Sequence, residues 1–191
     1  MTAIYKLSWL TIITGLLLPV SHLQAAGRAE QDIQFTATFY GGGCDITAPA
    51  TVTFNQGVVP QADIPGEQQR SDVMLNLSNC QGYFMTPSIT ITGETQSING
   101  KTLFVNSNST TTGYGILLTT AGNTAFSANS NLASDKVITT KTWPENGSDS
   151  VASLNGDLLL NAILSCGNCL PATSLRGGVL TSNLTFTFVY N

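Results

Sequence analysis

The chain closes on LTFTFVYN, residues 184–191. Large apolar side chains stand at Leu184, Phe186, Phe188 and Tyr190, with Thr185, Thr187 and Val189 between them. A period of two places the first set on one face of a β-strand and predicts that this face is buried. No charge and no proline interrupts the run, although these are the usual means of blunting an apolar strand edge. We therefore expect a strand with one buried face and a free side that no later strand covers.

The preceding sequence repeats the strand pattern at short spacing. Candidate strands fall at 33–40, 51–54, 73–77, 88–92, 102–105, 113–119, 137–142, 158–165 and 179–190. Breakers stand between them: Gly41-Gly42-Gly43, Pro65-Gly66, Asn99-Gly100 and ENGS at 145–148. Beyond the first residues, no stretch sustains a helical period over three turns. The 191 residues fit one domain better than two, and only 9% of them are charged. That balance suits an all-β domain with polar turns, and the recurring Val, Ile, Leu and Phe runs exclude a disordered chain. The expected architecture is a β-sandwich.

MTAIYKLSWLTIITGLLLPVSHLQAAG at the start reads as a secretory signal peptide. Lys6 supplies the positive region, residues 7–20 the apolar region, and Leu23-Gln24-Ala25 a cleavage site, with cutting after Ala25 or Ala26. The apolar run is short for a membrane anchor. Removing residues 1–25 takes away Lys6 and the only histidine, His22. Six of the seven basic residues and all eleven acidic ones then remain, a net charge of about −5. Without a basic stripe, nucleic acid is not an expected partner. Without histidine, most zinc sites and every Ser-His or Cys-His nucleophile are excluded.

Four cysteines remain: Cys44, Cys80, Cys166 and Cys169. In an exported chain an even count reads as disulfides, with three possible connectivities. Cys44 follows IQFTATFY and Cys80 follows VMLNLSN, so each is expected just past a strand end, where neighbouring strands could bring the two together. Closing the loop between them is worth roughly 4 kcal/mol by chain entropy, against roughly 2 for the short Cys166–Cys169 ring. The C-G-N-C stretch could also be a redox centre or half a zinc site. It follows the strand-like LLLNAILS and precedes a proline-containing loop instead of opening a helix, and a zinc site would need a second pair. A local structural disulfide is the favoured reading.

Other candidate sites are few. The run Gly41-Gly42-Gly43 lacks a following helix N-terminus, so we read it as a flexible joint and not a phosphate cradle. Asp63 and Glu67 lie in a Pro/Gly loop and are expected to be merely solvated. Trp143, before Pro144, could stack on a sugar, but a partly buried strand residue is the favoured reading. The N-x-S/T sequons at Asn76, Asn108, Asn146 and Asn183 are expected by chance in a Ser/Thr/Asn-rich chain. No carboxylate pair is recognisable. No catalytic, cofactor-binding or metal-binding residue is expected, and the chain is not expected to be an enzyme.

Several features together resemble the fimbrial (pilin) subunits of the chaperone–usher pathway of Gram-negative bacteria, of the type 1 pilus kind. An alternating segment precedes the first cysteine (DIQFTATFYGGGC), and that cysteine opens a short strand ending near glycine (CDITAPATVTFNQGVV). A second cysteine closes VMLNLSNC, GYGILLTT looks like the central strand, and the last strand carries a penultimate Tyr190 with Gly178 fourteenth from the end. The resemblance covers essentially all of the chain after the signal peptide.

It implies an incomplete immunoglobulin-like β-sandwich lacking its final strand and completed by a donor strand from another chain. The parts would be a signal peptide (1–25), an N-terminal donor-strand extension (26–43) and a pilin domain (44–191). The donor face would be Ile33, Phe35, Ala37 and Phe39. The acceptor face, read first by a chaperone, would be Gly178, Leu180, Leu184, Phe186, Phe188 and Tyr190. Implied partners are a periplasmic pilus chaperone, an outer-membrane usher, neighbouring pilin subunits in a head-to-tail polymer, and a tip adhesin. The route would run through the periplasm to a cell-surface fimbrium that supports adhesion. Two features depart from the pattern: Ala37 stands where donor strands usually carry glycine, and the Cys166/Cys169 pair has no family counterpart. The short extension resembles that of a minor or adaptor subunit. The alternative reading is a single-domain adhesin binding a glycan through Trp143 or Tyr83-Phe84. A disulfide-exchange enzyme using Cys166 and Cys169 is a third.

Overall fold

Alternating segments pair into two antiparallel sheets. The computed structural model describes residues 42–83, 86–141, 143, 150–169 and 175–190, all within one unit, Phe39–Asn191. Nine strands are described: β1 (Gly43–Thr47), β2 (Arg70–Gln81), β3 (Pro87–Thr92), β4 (Thr95–Ile98), β5 (Lys101–Phe104), β6 (Gly115–Thr120), β7 (Val137–Thr139), β8 (Gly156–Ser165) and β9 (Thr185–Tyr190). The larger sheet runs β1-β2-β8-β6-β5-β4 and the smaller β7-β3-β9. The all-β fold class is as expected. The signal peptide and Ile33, Phe35, Ala37 and Phe39 lie outside the described residues.

Side-chain alternation places the core between the sheets. On β2, Val73, Leu75 and Leu77 point inward, while Asp72, Met74 and Asn76 face solvent. Leu158 and Leu160 of β8, Leu118 of β6, Ile89 and Ile91 of β3, and Ile138 of β7 join them, with Phe104 and Phe126. Each such fully buried side chain contributes about 1.5–3 kcal/mol. A second cluster, Ile98, Leu103, Val105, Leu117 and Ile163, occupies the other face of the larger sheet. Leu117 and Ile163 are register partners, so the central strands β6 and β8 are apolar on both faces.

Asn79 breaks the alternation of β2. It adopts φ 53°, a left-handed conformation that asparagine tolerates better than most residues. The register moves from Gly43↔Gln81 to Asp45↔Ser78 there, which makes a β-bulge. The extra residue lets Cys80 turn inward three positions after Leu77.

Several strand boundaries differ from expectation. Residues 51–54 form no strand, because the chain turns at once through left-handed Asn55, Gln56 and Gly57. Strand β7 ends at Thr139, and β6 begins at Gly115. Of 179–190, only β9 is a strand. The 179–183 backbone bonds loop 106–110 through side chains as well as main chain: Val179 N donates to Thr110 Oγ1, Thr181 N to Ser109 Oγ, and Asn183 N to Asn106 Oδ1. Hydroxyl and amide oxygens thus stand where ladder carbonyls would, and no regular strand forms. Strand β4 was not expected; it is half of a hairpin whose turn is Asn99-Gly100, both at positive φ.

Candidate functional site

Among the described residues β9 pairs on one side only, with β3. The opposite border of the smaller sheet is covered, since Ser127 N donates to Thr139 O (2.9 Å) and Lys141 N to Ala125 O (2.8 Å). In the larger sheet the border strand β4 carries mainly polar residues. The free side of β9 is the one lined by aromatic side chains. The chain is an all-β, two-sheet domain in which, among the described residues, one side of β9 is unpaired.

The inner face of β9 is incompletely enclosed. Phe186 and Phe188 sit opposite Ile91 and Ile89 in the ladder. Those isoleucines are 2% and 0% exposed, whereas both phenylalanines and Leu184 pack against the core while remaining only half-buried. Strand β1, the other border of the larger sheet, approaches β9. Its Cys44 and Ile46 are half-buried against the same core, as are Val52, Phe54 and Val59. Two sheet borders thus run side by side with a row of partly covered apolar side chains. The β9 segment TFTFVY carries no carboxylate or ammonium group.

The remaining residues expected on this face have separate roles. Leu180 precedes the strand and touches both hydrophobic clusters. Gly178 lies where a Cβ would meet Thr110 at 2.6 Å from Oγ1, so the glycine permits close approach of the two segments. Tyr190, opposite Pro87 at the end of β9, is 42% exposed.

Both cysteine pairs are bonded, Cys44 to Cys80 and Cys166 to Cys169. The first pair sits inside paired strands, not past their ends, and ties β1 to β2 at the bulge. Asn79 Nδ2 adds a hydrogen bond to Asp45 Oδ2 (2.7 Å). The second closes the turn after β8. Gly167 has φ 69° and lies against the Ile98 carbonyl where no side chain fits. Asn99 Nδ2 donates to Cys166 O (2.7 Å) and Asn168 N to Asn99 O (2.9 Å). The C-G-N-C turn is therefore clasped onto the β4–β5 hairpin.

Glu67 is not merely solvated. Its Oε1 accepts from Lys101 Nζ (2.8 Å) and Ser165 Oγ (2.7 Å). Burial pushes its pKa up, but the Lys101 and Ser165 hydrogen bonds and the charges of Lys101 and Arg70 outweigh this, and the carboxyl is held below its ordinary value. Nothing in the local sequence signalled this, because both donors arrive from distant strands. Asp63 is half-buried and accepts from Gln69 Nε2 at 3.4 Å.

Trp143 packs half-buried against the core, as the favoured reading expected, although it stands outside any strand. Tyr83 is 62% exposed, and Phe84 lies outside the described residues. Among the described residues no group of three or more His, Cys, Asp or Glu could hold a metal, and no helix is long and apolar enough to cross a membrane.

No protein-family model and no curated protein matches the chain. Solved structures do match it, among them the crystal structure of the P pilus rod subunit PapA. That match covers 84% of this chain and 100% of the other, at 15% identity and a TM-score of 0.43.

Proposed function

We propose that the chain is a structural subunit of a fimbria that polymerises by donor-strand exchange. The observation that carries this reading is the burial difference across β3 and β9: Ile89 and Ile91 are enclosed, while Phe188 and Phe186 opposite them are half-buried. An added strand along β9 supplies main-chain partners to its free edge and covers Leu184, Phe186 and Phe188. The donor is the segment carrying Ile33, Phe35, Ala37 and Phe39 of a neighbouring copy or a related subunit. Burying three of its large side chains contributes about 5–9 kcal/mol, partly offset by the cost of ordering the extension. Donation is head to tail and does not close, so it builds a filament.

In this reading residues 1–25 direct export, a periplasmic chaperone occupies the open edge before assembly, and an outer-membrane usher receives the complex. The short extension suits a minor or adaptor position near a tip adhesin. The test is deletion of residues 26–39. The truncated subunit should still form a one-to-one complex with the chaperone yet fail to insert beneath a neighbour's edge. Normal polymerisation of the deletion contradicts the proposal.

A further inference from the structure

At the start of the described domain Gly42 lies where no side chain fits. A Cβ on Gly42 would overlap the carbonyl of Gln81 and crowd Gly82. Its neighbour differs: a Cβ on Gly43 would meet nothing within 4 Å. The wall against which Gly42 sits is itself fixed. Cys80 is bonded to Cys44, Cys80 N donates to Asn155 Oδ1 (3.1 Å), and Val151 N donates to Gly82 O (3.1 Å) from a fully buried residue. Gly43 pairs with Gln81 in the ladder. Three adjacent glycines that read as one flexible joint therefore include a seated position.

We propose that Gly42 is a positioning residue, whose bare backbone seats on Gln81-Gly82 and anchors the start of the domain at that point. The consequence rests on the donor-strand reading. Only Tyr40 and Gly41 separate Phe39 from the seat, and three extended residue steps span about 10 Å. A donor strand lodged in a neighbour then holds the two subunits in near contact, and the fibre is stiff at each joint.

Backbone 15N relaxation on the chain lacking residues 26–39 tests the seat without any fibre. Gly42 should show an order parameter near about 0.85, like Cys80; a value below about 0.6 overturns the proposal. Gly42→Ala should loosen Gly43 and Gln81, whereas Gly43→Ala should leave them unchanged. Equal behaviour of the two variants also overturns it. In the full chain, inserting Gly-Ser between Gly41 and Gly42 leaves the seat intact and should lengthen the fibre repeat by up to about 7 Å with more bending. An unchanged repeat contradicts the stiff joint. A rigid Gly42 in a chain that binds no donor peptide upholds the seat and overturns the donor-strand reading instead.

Discussion

Phe188 and Ile89 face each other across the β3–β9 ladder, and one is half-buried while the other is fully enclosed. Partners at one rung of a sheet share a face, so their unequal burial reflects position in the sheet and not orientation. Strand β3 has neighbours on both sides, and β9 among the described residues has one.

Truncating the two should therefore act on different quantities. Ile89→Ala removes a fully packed side chain and should cost about 2–5 kcal/mol in urea denaturation. Phe188→Ala should cost the uncomplemented domain less than Ile89→Ala, and should weaken binding of a peptide spanning residues 30–41. Equal destabilisation with unaltered peptide binding counts against an acceptor role for β9.

Acid stability should carry the signature of Glu67. Its carboxyl is held below its ordinary pKa in the fold, with the Lys101 and Ser165 hydrogen bonds outweighing the upward push of burial. A depressed folded-state pKa means the contribution is complete above the ordinary, unfolded value and is lost as pH falls through the lowered folded value. Glu67→Gln should flatten that acid limb while changing little near neutrality beyond the lost ion pair. An unchanged limb in a pH series of urea midpoints contradicts this assignment.

The two disulfides should differ in worth. Replacing Cys44 and Cys80 by serine opens the longer loop and should cost roughly 4 kcal/mol, against roughly 2 for the Cys166/Cys169 replacement. The second replacement should also raise amide exchange at Asn168, whose N–H bonds Asn99 O. Equal losses, or an unaltered Asn168, contradict the clasp.

Legibility in the sequence followed the range of the contacts. The alternation at Leu184, Phe186 and Phe188 depends on neighbours two residues away, and it identified the inner face of β9 directly. The Asn99-Gly100 dipeptide marked a turn, but Thr95, Gln96 and Ser97 lack the apolar period that would have signalled β4. Residues 51–54 alternate like a strand, yet left-handed Asn55 and Gln56 end the extension before it can pair. Glu67 and Gly42 were illegible for a different reason. Their roles depend on Lys101, Ser165 and Gln81, which only the folded chain brings near.

The central claim is that the free side of β9 accepts a strand. Hydrogen exchange on the chain lacking residues 26–39, with and without a peptide of residues 30–41, measures this directly. The β9 amides that face away from β3 should gain protection with the native peptide and none with a scrambled one. Unchanged exchange at those amides, at peptide concentrations that saturate any binding, contradicts the account.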